Sequence, residues 1–421
     1  MLFAQGIMIL TLLLMVTGRT PIYLTAITGS FLAAVAAGFP LAGKADVTIQ
    51  KLVNGGLNSV IADMTGVLML IGIMQATGFL DVIIKKIMEV GSKLGGAPGI
   101  TAAGSLVAGI IGALTGFTQP AVTAAITGPA ATKLGMDPHK TAGLAAHAGH
   151  FGNFAGFTHP TQVAVIATAA IGFGVINVVG AITGISIILF SYYRLSKEMK
   201  GKEISAEQMA ELKKTLESES DISFGKAVTP FACFILGFVL GYPVFVVGVL
   251  CAIATMILGK SQLAEGESAM MKGVEKIATP LVATVGFLFM SGVMNKIGLV
   301  KTIADALGPV VVAAPIVMMM VVSSIAGFLT QSNAAAAAIV VPFLQVVLSL
   351  GADPLTAAIA AAGSSAVWQY YLTGGPVAAL STAVAVVPGA ELKKANAFQR
   401  PAMVFGFLVL CCCVAVVNMF A

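Results

Sequence analysis

Long apolar runs, interrupted by short stretches rich in Gly, Pro and hydroxyl-bearing residues, make up most of the chain. Runs of this hydropathy predict helices that cross a lipid bilayer. Polar breaks inside such runs predict broken helices and re-entrant hairpins, because backbone that leaves the helix at membrane depth must be buried in protein or water. The pattern therefore predicts an all-α polytopic membrane protein. In the first half the apolar segments begin near Leu2, Pro21, Ser59, Pro98, Pro120, Thr141 and Thr161.

One long polar stretch, 194–226, separates two apolar stretches of similar length. Its first part is basic, and the positive-inside rule therefore places it in the cytoplasm. We predict a first transmembrane repeat at 1–193, a polar cytoplasmic linker at 194–226 and a second transmembrane repeat at 227–421.

Short motifs recur in the same order in the two halves. Segment 66–74 matches 286–294, and 115–119 matches 326–331. A duplicated hydrophobic half is typical of secondary transporters. An odd number of crossings in each half would give the halves inverted topology, which is the arrangement we predict, although five or six crossings per half leave the parity open.

The composition narrows the class of protein. Hydrophobic residues make up 58% of the chain and charged residues 10%, whereas a soluble protein carries about 25% charged residues. These values exclude a soluble enzyme, a nucleic-acid-binding protein and a disordered scaffold. We expect a multi-pass protein of the plasma (bacterial inner) membrane, surrounded by lipid and without a resident cofactor. A homodimer is left open.

Two repeat-related polar breaks are candidates for substrate binding. Each lies inside an apolar span and is followed by a helix of small residues. The N-terminus of a helix carries partial positive charge and free N–H groups, which hold carboxylates. The residues concerned are Thr115, Thr118, Gln119, Thr330, Gln331, Ser332 and Asn333.

A second pair of breaks, at 147–162 and 363–376, is also unusually polar. Unwound carbonyl groups together with Asn and Thr oxygens are the ligands that Na⁺ prefers at such breaks. Candidate ion or coupling positions here are Asn153, Thr158, Thr161 and Thr373.

Titratable residues inside the apolar runs are few. His147, His150 and His159 are candidates for carrying a coupling proton, because histidine titrates near neutral pH. Their spacing does not fit a transition-metal site, so no metal is expected. Asp63 is a candidate coupling group, since an intramembrane carboxylate is a functional hypothesis by default.

The polar breaks, the Asp-Pro steps at 137–138 and 353–354 and the two-half plan resemble the ion transporter superfamily, which includes gluconate permeases, anaerobic C4-dicarboxylate carriers and citrate carriers. Thr330–Asn333 resembles the Ser-Asn substrate hairpin of that superfamily. The resemblance implies re-entrant hairpins, two scaffold parts and an elevator-like motion of the transporting part.

We therefore predict a secondary active transporter for a small organic anion such as a dicarboxylate, gluconate or citrate, coupled to H⁺ or Na⁺. The alternative is a cation/proton antiporter of the same superfamily. An intramembrane enzyme is disfavoured, because the sequence has neither an HExxH motif nor a paired acidic motif.

Overall fold

A computed structural model describes residues 1–17, 20–56, 59–116, 120–200, 222–275, 278–372 and 378–421. Within those ranges the regular structure is helical and contains no strand, which confirms the predicted all-α class. The predicted linker lies largely outside them, since 201–221 is not described.

The first half contains eleven described helices. They are α1 (Leu2–Val16), α2 (Ile22–Ala36), α3 (Ile49–Asn54), α4 (Ser59–Ala76), α5 (Phe79–Lys93), α6 (Gly96–Thr115), α7 (Pro120–Lys133), α8 (Pro138–Ala146), α9 (Ala148–Ala155), α10 (Pro160–Thr168) and α11 (Val175–Glu198).

The described part of the second half repeats this order with one helix fewer. Its helices are α12 (Phe224–Val239), α13 (Val244–Leu258), α14 (Leu263–Val274), α15 (Ala278–Lys296), α16 (Leu299–Ala313), α17 (Pro315–Thr330), α18 (Asn333–Ser349), α19 (Pro354–Trp368), α20 (Ala378–Val386) and α21 (Leu392–Met419).

Local chemistry explains why matching elements form in the two halves. Gly78 and Gly298 adopt positive φ angles of 73° and 76°, a conformation that glycine reaches without strain. At these glycines α4 bends into α5 by 78° and α15 bends into α16 by 71°. Asp137 and Asp353 cap α8 and α19 ahead of a proline, and this sequence favours a helix start.

One break has no counterpart in the other half. The first-half chain leaves the helix at His147, between α8 and α9, whereas α19 continues without interruption through the matching region. This difference places a buried imidazole at a helix break in only one of the two repeats.

Helix length and apolarity agree with a membrane protein. Helices α6, α11 and α21 are long and apolar enough to cross a membrane, and the bent pairs α4–α5 and α15–α16 raise that number to as many as five among the described residues. Seven of the other described helices are apolar but shorter. The chain is a multi-pass membrane protein.

The helices form two groups that each draw on both halves. In the first group α4 packs along α13 and α14, and α15 packs along α2 and α3. In the second group α6 packs on α9, α17 packs on α19, and α11 packs on α21. Helices α10 and α18 lie where the groups meet, since both also contact α15.

Close glycine contacts hold the first group together. A Cβ atom on Gly273 would overlap the carbonyl oxygen of Leu68, and one on Gly72 would overlap that of Ala269. Backbone atoms cannot move aside as the end of a side chain can. Glycine is therefore required where α4 crosses α14.

The Gly273→Ala variant is expected to be less stable by roughly 1–3 kcal/mol, the usual cost of overpacking a filled interface. The measurement is the melting temperature of the purified full-length protein in detergent. Gly6→Ala is the matched control, because a Cβ there meets no atom within 4 Å. Equal melting temperatures for the two variants would show that α4 and α14 are not tightly packed.

Candidate functional site

The tip of the second-half hairpin is built from the end of α17 and the start of α18. Gln331 adopts a left-handed conformation with φ 51°, which turns the chain at the end of α17. The Ser332 hydroxyl then accepts a hydrogen bond from the Ala335 N–H at 3.4 Å and caps α18. Thr330 Oγ1 donates to the Ala326 carbonyl at 2.8 Å, so the predicted segment 330–333 forms a buried, ordered turn.

The N-terminus of α10 meets this tip from the first half. Thr161, the second residue of α10, donates from Oγ1 to the backbone oxygen of Asn333 at 3.0 Å. His159, the N-cap residue of α10, lies with Nδ1 3.4 Å from the Asn333 side-chain amide. Two helix N-termini from different halves therefore meet at Asn333.

Side chains at and just after the C-terminal end of α19 complete the cluster. Gln369 Oε1 accepts from the Asn333 N–H at 3.1 Å and from Asn153 Nδ2 at 3.2 Å. Asn153 also donates to the Tyr370 hydroxyl at 3.1 Å, and Ser365 donates to Asn333 Oδ1 at 3.1 Å. All of these groups are buried, so helices α9, α10, α18 and α19 share one hydrogen-bond network.

The electrostatics of this cluster favour an anion. Each helix N-terminus carries roughly half a positive charge, and the residues that join α10 to α18 contribute no carboxylate. Gln162, in the first turn of α10, is fully buried, and neither of its amide atoms has a hydrogen-bond partner among the described residues. A buried amide without a partner costs free energy, and a carboxylate could accept a hydrogen bond from its Nε2.

His147 and His150 lie one to two turns before Asn153, at and just after the break between α8 and α9. His147 is fully buried, and its Nε2 lies 2.7 Å from the Ser191 hydroxyl on α11. The His150 ring stands 5.3 Å from the His147 ring and edge-on to the Tyr370 ring at 5.0 Å. Across the described residues, no group of three or more His, Cys, Asp or Glu is placed to hold a metal ion.

Asp63 lies in a different place, in α4 of the first helix group. Its Oδ1 accepts a hydrogen bond from the backbone N–H of Phe245 at 3.0 Å, at the N-terminus of α13. The carboxylate therefore caps a helix of the other half, and its coupling role stays a prediction.

The Asp63→Ala variant is expected to lose about 1 kcal/mol of stability, the usual value of a helix cap, and to keep any ion coupling of the wild type. Asp63→Asn retains an acceptor oxygen and should melt close to the wild type. Melting temperature and gradient-driven uptake, measured on both variants, check this. If both variants lost gradient-driven uptake while their melting temperatures stayed unchanged, Asp63 would be part of the coupling site.

The other predicted positions fall into two sets. Thr115 is buried at the end of α6, where its hydroxyl donates to the Ile111 carbonyl at 2.8 Å. Thr158 is fully buried close to Gly116, the residue that ends α6. Thr118, Gln119 and Thr373 lie outside the described residues.

Several residues of the site were not predicted from the sequence. Gln369, Ser365 and Tyr370 lie in the segment matched to the histidine-rich break, and the unusual number of polar residues there was the available signal. Arg400 lies within the candidate span α21. It donates from Nε to the Tyr371 carbonyl at 3.2 Å and stacks on the Tyr371 ring.

No protein-family model matches the chain, and no curated protein matches it. Among solved structures, the chain is similar to MtrF of Neisseria gonorrhoeae, described as illuminating a class of antimetabolite efflux pumps. The TM-score is 0.63 at 14% identity, over 94% of this chain and 95% of that one.

It is also similar to the YdaH transporter of Alcanivorax borkumensis, described as having an unusual topology, with a TM-score of 0.54 at 14% identity over 97% and 98% of the two chains. Both likenesses extend over almost the full length of the chains compared. The chain therefore has the fold of these two membrane proteins, with its network of Asn333, Gln369 and Asn153 buried where its two helix groups meet.

Proposed function

We propose that the chain is a secondary active transporter of a small organic anion, whose carboxylate binds between the N-termini of α10 and α18. The observation that carries this proposal is the contact of Thr161, at the start of α10, with Asn333, at the start of α18. Two positive helix ends repel each other at short range, and an anion between them relieves that repulsion.

The groups that would hold the carboxylate are neutral. The backbone N–H groups of the first turns, the Asn333 and Gln162 amides and the Thr161 hydroxyl can donate hydrogen bonds to it. No Lys or Arg belongs to the hydrogen-bonded cluster around Asn333. Backbone dipoles and amides therefore supply the attraction for the carboxylate. The class of substrate that we propose is a dicarboxylate, gluconate or citrate.

The position of the site suits alternating access. Helices α10 and α18 belong to the second helix group but also contact α15 of the first. If the second helix group (α6–α11 and α17–α21) moved relative to the first (α1–α4 and α12–α15), α10 and α18 would carry a bound anion past α15. The fold shared with the MtrF and YdaH structures supports a transport role.

Reconstitution of the full-length chain into proteoliposomes tests the proposal. Radiolabelled succinate, citrate and gluconate are offered with imposed proton gradients and, separately, imposed sodium gradients, in both directions. We expect movement of at least one carboxylate driven by one of the two gradients. Movement of none of them, together with Na⁺-driven proton movement, would replace the proposal with a cation/proton antiporter.

A further inference from the structure

We propose that His147 and His150, with Ser191 and Tyr370, form the proton-binding site of the transport cycle, so that the coupling ion is H⁺. This inference rests on the proposed transport function but concerns other residues of the same network, with Tyr370 in common. His150 and Asn153 lie about one turn apart on α9.

The imidazole pair has the geometry of a site that can take up a proton. His147 Nε2 is bonded to the Ser191 hydroxyl, whereas its Nδ1 has no partner among the described residues. The His150 ring lies near backbone groups of His147 and Val367, but neither of its nitrogens forms a hydrogen bond of normal geometry with a described residue. Ring nitrogens without a partner can accept a proton without first breaking a bond.

A continuous chain of contacts joins this pair to the anion site. The His150 ring packs edge-on against the Tyr370 ring, and the Tyr370 hydroxyl accepts from Asn153 Nδ2. Asn153 also donates to Gln369 Oε1, which accepts the Asn333 N–H at the start of α18. The side chains of Tyr370, Asn153 and Gln369 therefore couple the charge of His150 to the N-terminus of α18.

Close packing leaves Tyr370 little freedom to absorb such a change. A Cβ atom on Gly149 would overlap the Tyr370 hydroxyl, so the ring lies directly against the backbone of α9. The Tyr370 carbonyl accepts a hydrogen bond from Asn396 of α21. Movement of the His150 ring must then be taken up by Asn153 and Gln369.

The cation that acts on His147 is Arg194 of α11. Arg194 donates to the Phe398 carbonyl at 3.3 Å and stacks on the Phe398 ring. Helices α6, α19 and α20 carry no charged residue. The other titratable groups on α8, α9 and the elements packed against them are Lys133, Asp137, His139, Lys140, His159, Tyr192, Tyr193, Lys197, Glu198, Tyr371, Glu391, Lys393, Lys394, Arg400, Cys411, Cys412 and Cys413.

Ser191 and Glu198 are seven residues apart and so share one face of α11, with the buried Leu195 between them. Glu198 is exposed and pairs with Lys140 of α8.

His139 supplies the matched control histidine. Its Nδ1 accepts the Glu391 N–H at 2.8 Å, and the hydrogen bond from Lys394 lowers the pKa of the neighbouring Glu391 carboxyl. His139 therefore lies at the surface end of α8, apart from the buried pair. The chain has four histidines, so replacing them one at a time assigns every imidazole signal in an NMR spectrum.

The direct test is ¹⁵N NMR of full-length protein labelled at histidine and held in lipid nanodiscs, with and without succinate, citrate and gluconate. We expect ring signals that His147→Asn and His150→Gln remove to change to the imidazolium form as the pH is lowered with a carboxylate bound. His139→Gln should leave those signals in place. Neutral imidazole signals for both residues at every pH, with each carboxylate present, would overturn the inference.

The transport test separates coupling from substrate binding. When one proton moves with each substrate and no net charge crosses the membrane, a gradient of one pH unit supports about tenfold accumulation of the substrate. His147→Asn and His150→Gln, made singly and together, should lose this accumulation while still exchanging labelled for unlabelled carboxylate. His139→Gln should accumulate as the wild type does. Full accumulation in the double variant, or accumulation driven by Na⁺ alone, would contradict the inference.

The two proposals fail in different ways. A wild-type protein that moves no carboxylate refutes the proposed function, whereas the NMR titration of His147 and His150 is read independently of transport. Carboxylate uptake that ignores the pH gradient leaves the proposed function intact and refutes the proton site alone.

Discussion

Replacing Gln369 with glutamate is expected to abolish binding of the organic anion while the protein stays folded. A glutamate oxygen can accept from the same two donors, the Asn333 N–H and Asn153 Nδ2, that Gln369 Oε1 now serves. The new carboxylate supplies the negative charge that we assign to the substrate. This fixed negative charge takes the place of the charge of the substrate and repels the substrate itself.

The expected size of the effect follows from Coulomb's law. Two negative charges about 4 Å apart repel by about 4 kcal/mol at an effective dielectric constant of about 20, which corresponds to roughly a thousandfold loss of affinity. The hydrogen bond from Gln369 Nε2 to the Ala366 carbonyl is lost, at about 1 kcal/mol. Attraction between the new charge and the two helix N-termini offsets this cost.

The measurement is the concentration dependence of uptake for wild type, Gln369→Glu and a surface control, Gln50→Glu, with melting temperatures recorded for all three. Gln50 is exposed on α3 and should behave as the wild type. Uptake by Gln369→Glu at the wild-type affinity would show that no anion binds next to Gln369.

The second large effect is expected for Asn333→Ala. The Asn333 side chain accepts from Ser365 Oγ and contacts His159 Nδ1, and its removal leaves polar groups at the anion site without their partner. Each such loss costs about 1–3 kcal/mol, so the affinity for the anion should fall roughly 10- to 100-fold. The fold should persist, because Ser332 still caps α18.

Uptake kinetics and melting temperature together check this prediction. Asn54→Ala, at an exposed asparagine at the end of α3, is the matched control. An unchanged affinity in Asn333→Ala would remove this residue from the site. A collapse of the melting temperature would instead show that the buried network holds the fold together rather than the substrate.

Much of the fold could be predicted because its boundaries have local causes. The Asp-Pro steps at 137–138 and 353–354 begin helices wherever they occur. Gly78 and Gly298 mark bends, because their positive φ angles suit glycine. Such signals need no knowledge of neighbouring helices. Their repetition in the same order predicts a duplication, and both the duplication and an inverted relation between the halves stay predictions.

The site could be predicted only in part, because its partners are far apart in the sequence. The polar tip around Ser332 and Asn333 stands out against its apolar surroundings. Its partners Thr161 and Gln369 come from separate segments, 172 and 36 residues away from Asn333. Asp63 shows the converse. An isolated acid in an apolar run indicates function, and only the position of the Phe245 N–H reveals a cap.

The break predicted at 147–162 begins at His147, between α8 and α9. In the matched segment 363–376, α19 continues as one helix to Trp368, although its polar residues predicted a break there as well. His147 contacts Ser191 of α11 at the interruption.

The most direct test of the central claim, that an anion binds between the N-termini of α10 and α18, compares a carboxylate with its uncharged amide. Ligands that bind the folded protein raise its melting temperature by mass action. Succinate, citrate or gluconate should raise the melting temperature of the wild type, whereas succinamide should not, and Gln369→Glu should respond to none of them. A shift produced equally by succinate and succinamide, or retained in Gln369→Glu, would contradict the claim.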